Sequence, residues 1–182
     1  TSPFSVAFSV ESIRECVRAC CSGASPGPTG WTEELLLDAL HDEHTAAEIA
    51  AAITDIANSA VSANLRARLV RSRLIPLAKP GAGVRPIAMG EVLVKVAARL
   101  AMQASAPDIR RVFNGTQYGV AAPAGLDTIV HTARDYLRNP PAPSATMVTL
   151  DFVNAFNTPA RQAMCNAASV IPTMRGIFHL EY

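Results

Sequence analysis

One carboxylate in this 182-residue chain closes an apolar run and precedes a turn: Asp151, in Thr146-Met-Val-Thr-Leu-Asp-Phe-Val-Asn-Ala-Phe-Asn157. Met147, Val148, Thr149 and Leu150 are apolar or β-favouring, which predicts a buried strand. Asn154 to Asn157 turn the chain, and Thr158 before Pro159 suits a helix N-cap with proline in the first helical position. A carboxylate at the C-terminal end of a buried strand sits where backbone, ligand and a divalent cation can meet. Oxygen donors of this kind hold Mg²⁺ together with substrate phosphates. A lone aspartate after a strand serves equally as a turn or cap residue, so the carboxylate by itself leaves both roles open.

The cations are the second chemical resource. The net charge is only +1, but it is segregated: residues 1–63 sum to −7, residues 64–111 to +8 and residues 112–182 to zero. The basic block opens with Arg66, Arg68, Arg71 and Arg73. Next to a carboxylate, such a block points to a polyanion, either nucleic acid or nucleotide phosphate; a solvated helix face is the plain alternative. Other chemistries find less support. Cys16, Cys20, Cys21 and Cys165 form no C-x-x-C pair, and His41, His44, His131 and His179 complete no zinc pattern. His131 reads as a structural histidine beside an apolar stripe. Unpaired cysteines, with no signal peptide and no apolar run of about 18 residues, predict an intracellular protein, nuclear or cytoplasmic, without a membrane partner. The chain begins with Thr1, as a fragment would.

These residues need elements to hold them. Ser9 caps a first helix to about Cys21, with Ile13, Cys16, Val17 and Cys20 on one face. Three glycines and two prolines make Ser22 to Gly30 a loop, and Trp31, the only tryptophan, would anchor it on the core. Thr32 starts a second helix to about His41. Thr45 and Glu48 match a capping box for a third, with Ile49, Ala52, Ile53, Ile56 and Ala60 inward to about Asn64. Arg73-Leu-Ile-Pro-Leu-Ala-Lys-Pro and Val84-Arg-Pro-Ile-Ala-Met flank a Gly-rich link, which predicts a β-hairpin with a loop of three to five residues. Pro76 and Pro86 make its strands edge-like or irregular. Lys79 and Arg85 project from this hairpin, a lid able to lay cations on phosphates. A helix from Gly90-Glu91 to about Ala104 carries Leu93, Val96, Ala97, Leu100 and Ala101, and Pro107 ends it. Another runs from about Leu126 to Arg138 with Ile129, Val130, Ala133 and Leu137 inward, and a last one from about Pro159 to Ala168. Val170 to Tyr182 is apolar, is interrupted by Pro172 and Gly176, and stops in mid-element.

Four stretches, in order, resemble the reverse transcriptases of non-LTR retrotransposons. Ser25-Pro-Gly-Pro-Thr-Gly-Trp31 is similar to the family's opening loop, and Leu74 to Ala88 to its fingers hairpin. Gln117-Tyr-Gly to Gly125 is similar to the following block, and Leu150-Asp-Phe-Val-Asn-Ala-Phe-Asn157 to the first catalytic motif of the palm. Group II intron maturases are the nearest alternative within that class. The resemblance implies an α+β fold: a right-hand polymerase fingers/palm fragment, mostly helical, with the fingers hairpin and the first palm strand. It implies an N-terminal helix of uncertain role in residues 1–21, a fingers-like region in 22–145 and a truncated palm in 146–182. It implies that Asp151 is catalytic and holds two Mg²⁺ ions in the full-length enzyme, with the backbone carbonyl of Phe152 a further ligand. Lys79 and Arg85 would contact the incoming triphosphate, and Phe156 would be the steric gate that selects dNTPs. Arg66, Arg68, Arg71 and Arg73 would lie near nucleic acid. The partners would be an RNA template, a DNA primer and dNTPs, together with the missing palm and thumb segments.

The sequence departs from that family in one way that matters. The second acidic motif, an Asp-Asp pair, occurs nowhere, and the only acid after Asp151 is Glu181. One carboxylate does not hold two Mg²⁺ ions, so no polymerase activity is expected of these 182 residues alone. The alternatives outside enzymology are a truncated retroelement remnant acting as a sequence-independent nucleic-acid-binding module, and a relic without function.

Overall fold

Ser9 accepts a hydrogen bond from the Ser12 amide and starts α1 (Val10–Arg18), which buries Ile13, Cys16 and Val17. The structure, a computed structural model, describes residues 5–20, 23–81, 83–120, 122–152 and 158–181. Thr32 caps α2 (Glu33–Ala39) in the same way, through the Leu35 amide. For α3 (Glu43–Ala57) the cap is Asp42 rather than the expected Thr45: its carboxylate takes both the amide and the hydroxyl of Thr45. A carboxylate at that position also meets the positive end of the helix, which a hydroxyl does not. The Thr45 amide and hydroxyl together hold the Asp42 carboxyl below its ordinary pKa.

α3 buries Ala46, Ala50, Ile53, Ile56 and Ala57 and packs most extensively on α5 (Val92–Phe113), which buries Val96, Ala97, Leu100 and Ala101. Alanines on both helices allow close approach; of the expected α3 stripe, Ala52 and Ala60 are exposed. α5 does not stop before Pro107 but runs through it. Proline removes its own amide bond to Gln103 and crowds that carbonyl with its ring. Beyond it, Ile109 is buried with Ile171 and Met174, an apolar contact that favours continuing the helix. Ser105, fully buried one turn earlier, donates to the Ala101 carbonyl at 2.6 Å and lies 2.5 Å from the Thr173 hydroxyl.

The C-terminal residues complete this core. After a 3₁₀ turn at Pro172–Met174, α8 (Arg175–Glu181) puts Ile177 and Leu180 against α3 and α5. Gly176 permits the approach, because a Cβ there would collide with the Ala57 carbonyl and the Asn58 backbone. Ile13, Leu36, Leu40, Ile53, Val96 and Leu180 mark the centre of a core shared by α1, α2, α3, α5 and α8. Arg14 adds a polar tie, donating through Nε and Nη2 to the Leu40 carbonyl at the end of α2.

Outside the core the sequence expectations fail more often. The third helix, expected to reach about Asn64, ends at Ala57, and a separate short helix, α4 (Ala63–Leu69, capped by Ser62), carries Arg66 and Arg68 of the basic block. α6 (Gly125–Arg138) forms as expected, but Ile129, Val130 and Leu137 are exposed and Leu126 is 74% exposed. Among the described residues no element covers that stripe by more than slight contact. The expected strand at Met147–Leu150 is not a strand; Val148 is 73% and Leu150 81% exposed. A strand needs a neighbour for its ladder, and the one sheet among the described residues pairs β1 with β2 alone. Tyr136 on α6 reaches this segment by donating to the Thr146 carbonyl. Trp31 is 41% exposed and is not the expected core anchor. α7 (Arg161–Ala168) starts after Ala160, not at Pro159. Among the described residues no helix is long and apolar enough to cross a membrane.

Candidate functional site

The hairpin is regular: β1 (Ser72–Ala78) and β2 (Val84–Gly90) pair antiparallel, and the Lys79 amide bonds the Gly83 carbonyl at the mouth of the loop. Pro76 and Pro86 lie in edge strands, one of the two expected outcomes, and register keeps those strands regular. The two prolines face each other, three positions in from the bonded Lys79–Gly83 pair, and so fall in a pair that exchanges no ladder bonds. Neither missing amide is needed between the strands.

Alternation then sorts the side chains. One face carries Arg73, Ile75 and Leu77 of β1 with Arg85, Ile87 and Met89 of β2, and the same register continues to Lys79. The other face, Ser72, Leu74, Pro76 and Ala78 with Val84, Pro86, Ala88 and Gly90, has no charge at all. The structure therefore brings Lys79 and Arg85 onto one exposed face, with Leu77 directly opposite Arg85 and Arg73 further down the ribbon.

The ribbon packs mainly on itself, and its two roots attach it to the helices. At the β2 root, Glu91 is buried and its carboxylate accepts from the Thr29 amide at 2.9 Å and the Thr29 hydroxyl at 2.5 Å. Gly27 of the same loop is buried against this root: a Cβ there would stand 2.7 Å from the Gly90 oxygen. At the β1 root, Arg66 on α4 gives its Nε to the Leu180 carbonyl of α8 at 2.8 Å. Arg68, Arg71 and Arg73 are exposed. A cavity of about 300 Å³ lies between the roots and is lined by Arg71, Ser72, Glu91, Lys95, Arg161 and Glu181 with apolar neighbours. Burial pushes the Glu181 carboxyl above its ordinary pKa. Thr29, Glu91, Lys95 and Arg161 were not singled out by sequence reasoning. A lone carboxylate between a glycine and an apolar helix was the available signal for Glu91.

Asp151 and Phe152 lie on the exposed segment after α6, and Asp151 Oδ1 accepts from the Phe152 amide at 2.9 Å. Phe156 is outside the described residues. Neither Asp151 nor Phe152 lines the cavity at the hairpin roots. Among the described residues no three His, Cys, Asp or Glu side chains gather as metal ligands. One exposed carboxylate does not make a two-Mg²⁺ centre, so the donor set present does not fit that group.

Against known proteins, the chain is similar to the Retrotransposable element SLACS 132 kDa protein of Trypanosoma brucei gambiense, with 32% identity over 166 residues. The match takes in 91% of this chain and 14% of that protein, so the chain spans about one seventh of the length of the curated relative it matches. No family model matches the chain, and no solved structure matches it.

Proposed function

We propose that the chain is retroelement-derived and forms the nucleotide-positioning part of an RNA-directed DNA polymerase, one that acts with an RNA template, a DNA primer and dNTPs. What carries the reading is the hairpin, whose cations Arg73, Lys79 and Arg85 share one exposed face while the other face has none. Support comes from the four ordered motifs and from the likeness to a retrotransposable-element protein over most of the chain. Arg85 is the stronger triphosphate contact, because a guanidinium binds phosphate through two parallel hydrogen bonds and an ammonium acts as a point charge. Phe156 is the sugar gate in this reading. Asp151 is the one carboxylate of the catalytic motif in this reading, so the chain's share of the reaction is to hold and orient the nucleotide, with Asp151 at the edge of the reacting centre.

The experiment is a binding isotherm for a dNTP, presented as its Mg²⁺ complex, on the chain itself. Arg85→Ala should weaken binding about tenfold or more, the worth of a charge-assisted hydrogen bond, and Lys79→Ala by less. Equal affinity for the parent and Arg85→Ala rejects the reading. A second reading, a nucleic-acid-binding module, is favoured by one observation: Arg71, Lys95 and Arg161, from three separate stretches, line one cavity beside Glu91 and Glu181. It expects RNA binding that falls steeply with salt, ignores sequence and is unchanged in Asp151→Ala.

A further inference from the structure

We propose that Thr29 and Glu91 are positioning residues: a buried clamp that fixes the pose of the hairpin on the helical core, and through it the pose of Lys79 and Arg85. The functional half of this inference rests on the nucleotide reading above; the clamp itself does not. Four observations lead to it. The ribbon has only slight contact with other elements, so its own packing does not set its direction. Its β1 root follows α4, which buries none of its residues and holds to α8 through Arg66. The β2 root runs straight into α5, and Glu91 at that junction has both carboxylate oxygens engaged by one residue of the α1–α2 loop. Gly27 then lets the loop backbone lie directly on Gly90, beside the buried Glu91.

The chemistry explains why the joint is firm. A buried carboxylate is costly unless its hydrogen bonds are made, and the Thr29 amide and hydroxyl make them. The loop is itself fixed to α2, where the Gly23 amide donates to Glu34 at 2.7 Å and holds that carboxyl below its ordinary pKa. The hairpin is thus oriented from α2 through a chain of contacts: Glu34, Gly23, the loop, Thr29 and Glu91. Loosening the last link lets the ribbon swing about its roots without unfolding the core.

The test is amide hydrogen exchange on the 182-residue chain, read at Thr29 and at residues 87–93, with α3 as internal reference. Thr29→Val keeps the shape and removes the hydroxyl donor. It is expected to speed exchange at the β2 root about tenfold, the loss of one hydrogen bond to a charged group, with α3 unchanged. Thr29→Ser should restore the parent rate. Glu91→Ala should match or exceed the Thr29→Val effect. Unchanged exchange at the root in Thr29→Val overturns the clamp, and so does a rise that α3 shares, which reports loss of fold. The dNTP isotherm then separates clamp from function. Weaker binding in Thr29→Val, recovered in Thr29→Ser, supports both. Faster root exchange with unmoved affinity upholds the clamp as a joint but overturns its positioning of Lys79 and Arg85, while the Arg85→Ala isotherm decides their nucleotide role independently.

Discussion

α3 and α6 are helices of similar length and each carries an apolar stripe, yet α3 lies in the core and α6 shows its stripe to solvent. The stripe alone does not decide between these outcomes. α3 is met by α1, α5 and α8, and small residues on the facing surfaces let them approach. α6 is met by nothing comparable among the described residues. Periodicity states which face of a helix is apolar; whether that face is covered depends on another segment. The same contrast separates β1 and β2, which complete each other, from Met147–Leu150, which has no strand partner among the described residues.

The comparison can be broken by truncation. Leu36→Ala or Ile53→Ala should cost about 2–5 kcal/mol in denaturant melts, while Ile129→Ala on α6 should stay within about 0.5 kcal/mol. Equal losses would mean that α6 is covered after all. Next in size is a pH effect confined to the core. Burial pushes the Cys16 thiol up to about 11, with Cys20 adding to the shift and Arg99 opposing it. A raised folded pKa favours the protonated fold, so this stability is complete below the ordinary thiol range and is lost as pH rises towards 11. Melts between pH 8 and 11 should therefore converge for the parent and Cys16→Ala, the gap closing by up to about 3 kcal/mol.

Gly176→Ala sharpens the contrast at one position. Its methyl meets the α3 backbone, and a loss of about 1–3 kcal/mol is expected, with α8 exchanging its amides faster. Caps come last: Ser9→Ala should cost about 1 kcal/mol. Asp42 has a depressed pKa, so the stability it contributes is present at neutral pH and fades as pH falls through the folded value.

The same division between local chemistry and distant contacts decides what could be read in advance. Ser9, Thr32 and the hairpin were legible because local chemistry decides them: a cap hydroxyl, a glycine-rich link between apolar runs. Pro107 was misread because a proline's local cost was outweighed by the burial of Ile109, a contact with residues more than sixty positions away. Trp31 was misread because a large ring predicts burial only where a cavity awaits it. Lys79 and Arg85 were found by motif, and their common face follows from register. The Thr29–Glu91 contact spans 62 positions and has no local signal that could have paired them.

The opposed prolines carry a consequence for how copies of this chain meet one another. A two-stranded ribbon has two open edges, each a template on which a neighbour could add a strand. Because Pro76 and Pro86 occupy a pair whose amides would point outward, each edge lacks a donor at mid-length. A chain approaching from either side finds that its ladder cannot run through, and the ribbon resists stacking into larger sheets despite the apolar side chains it displays.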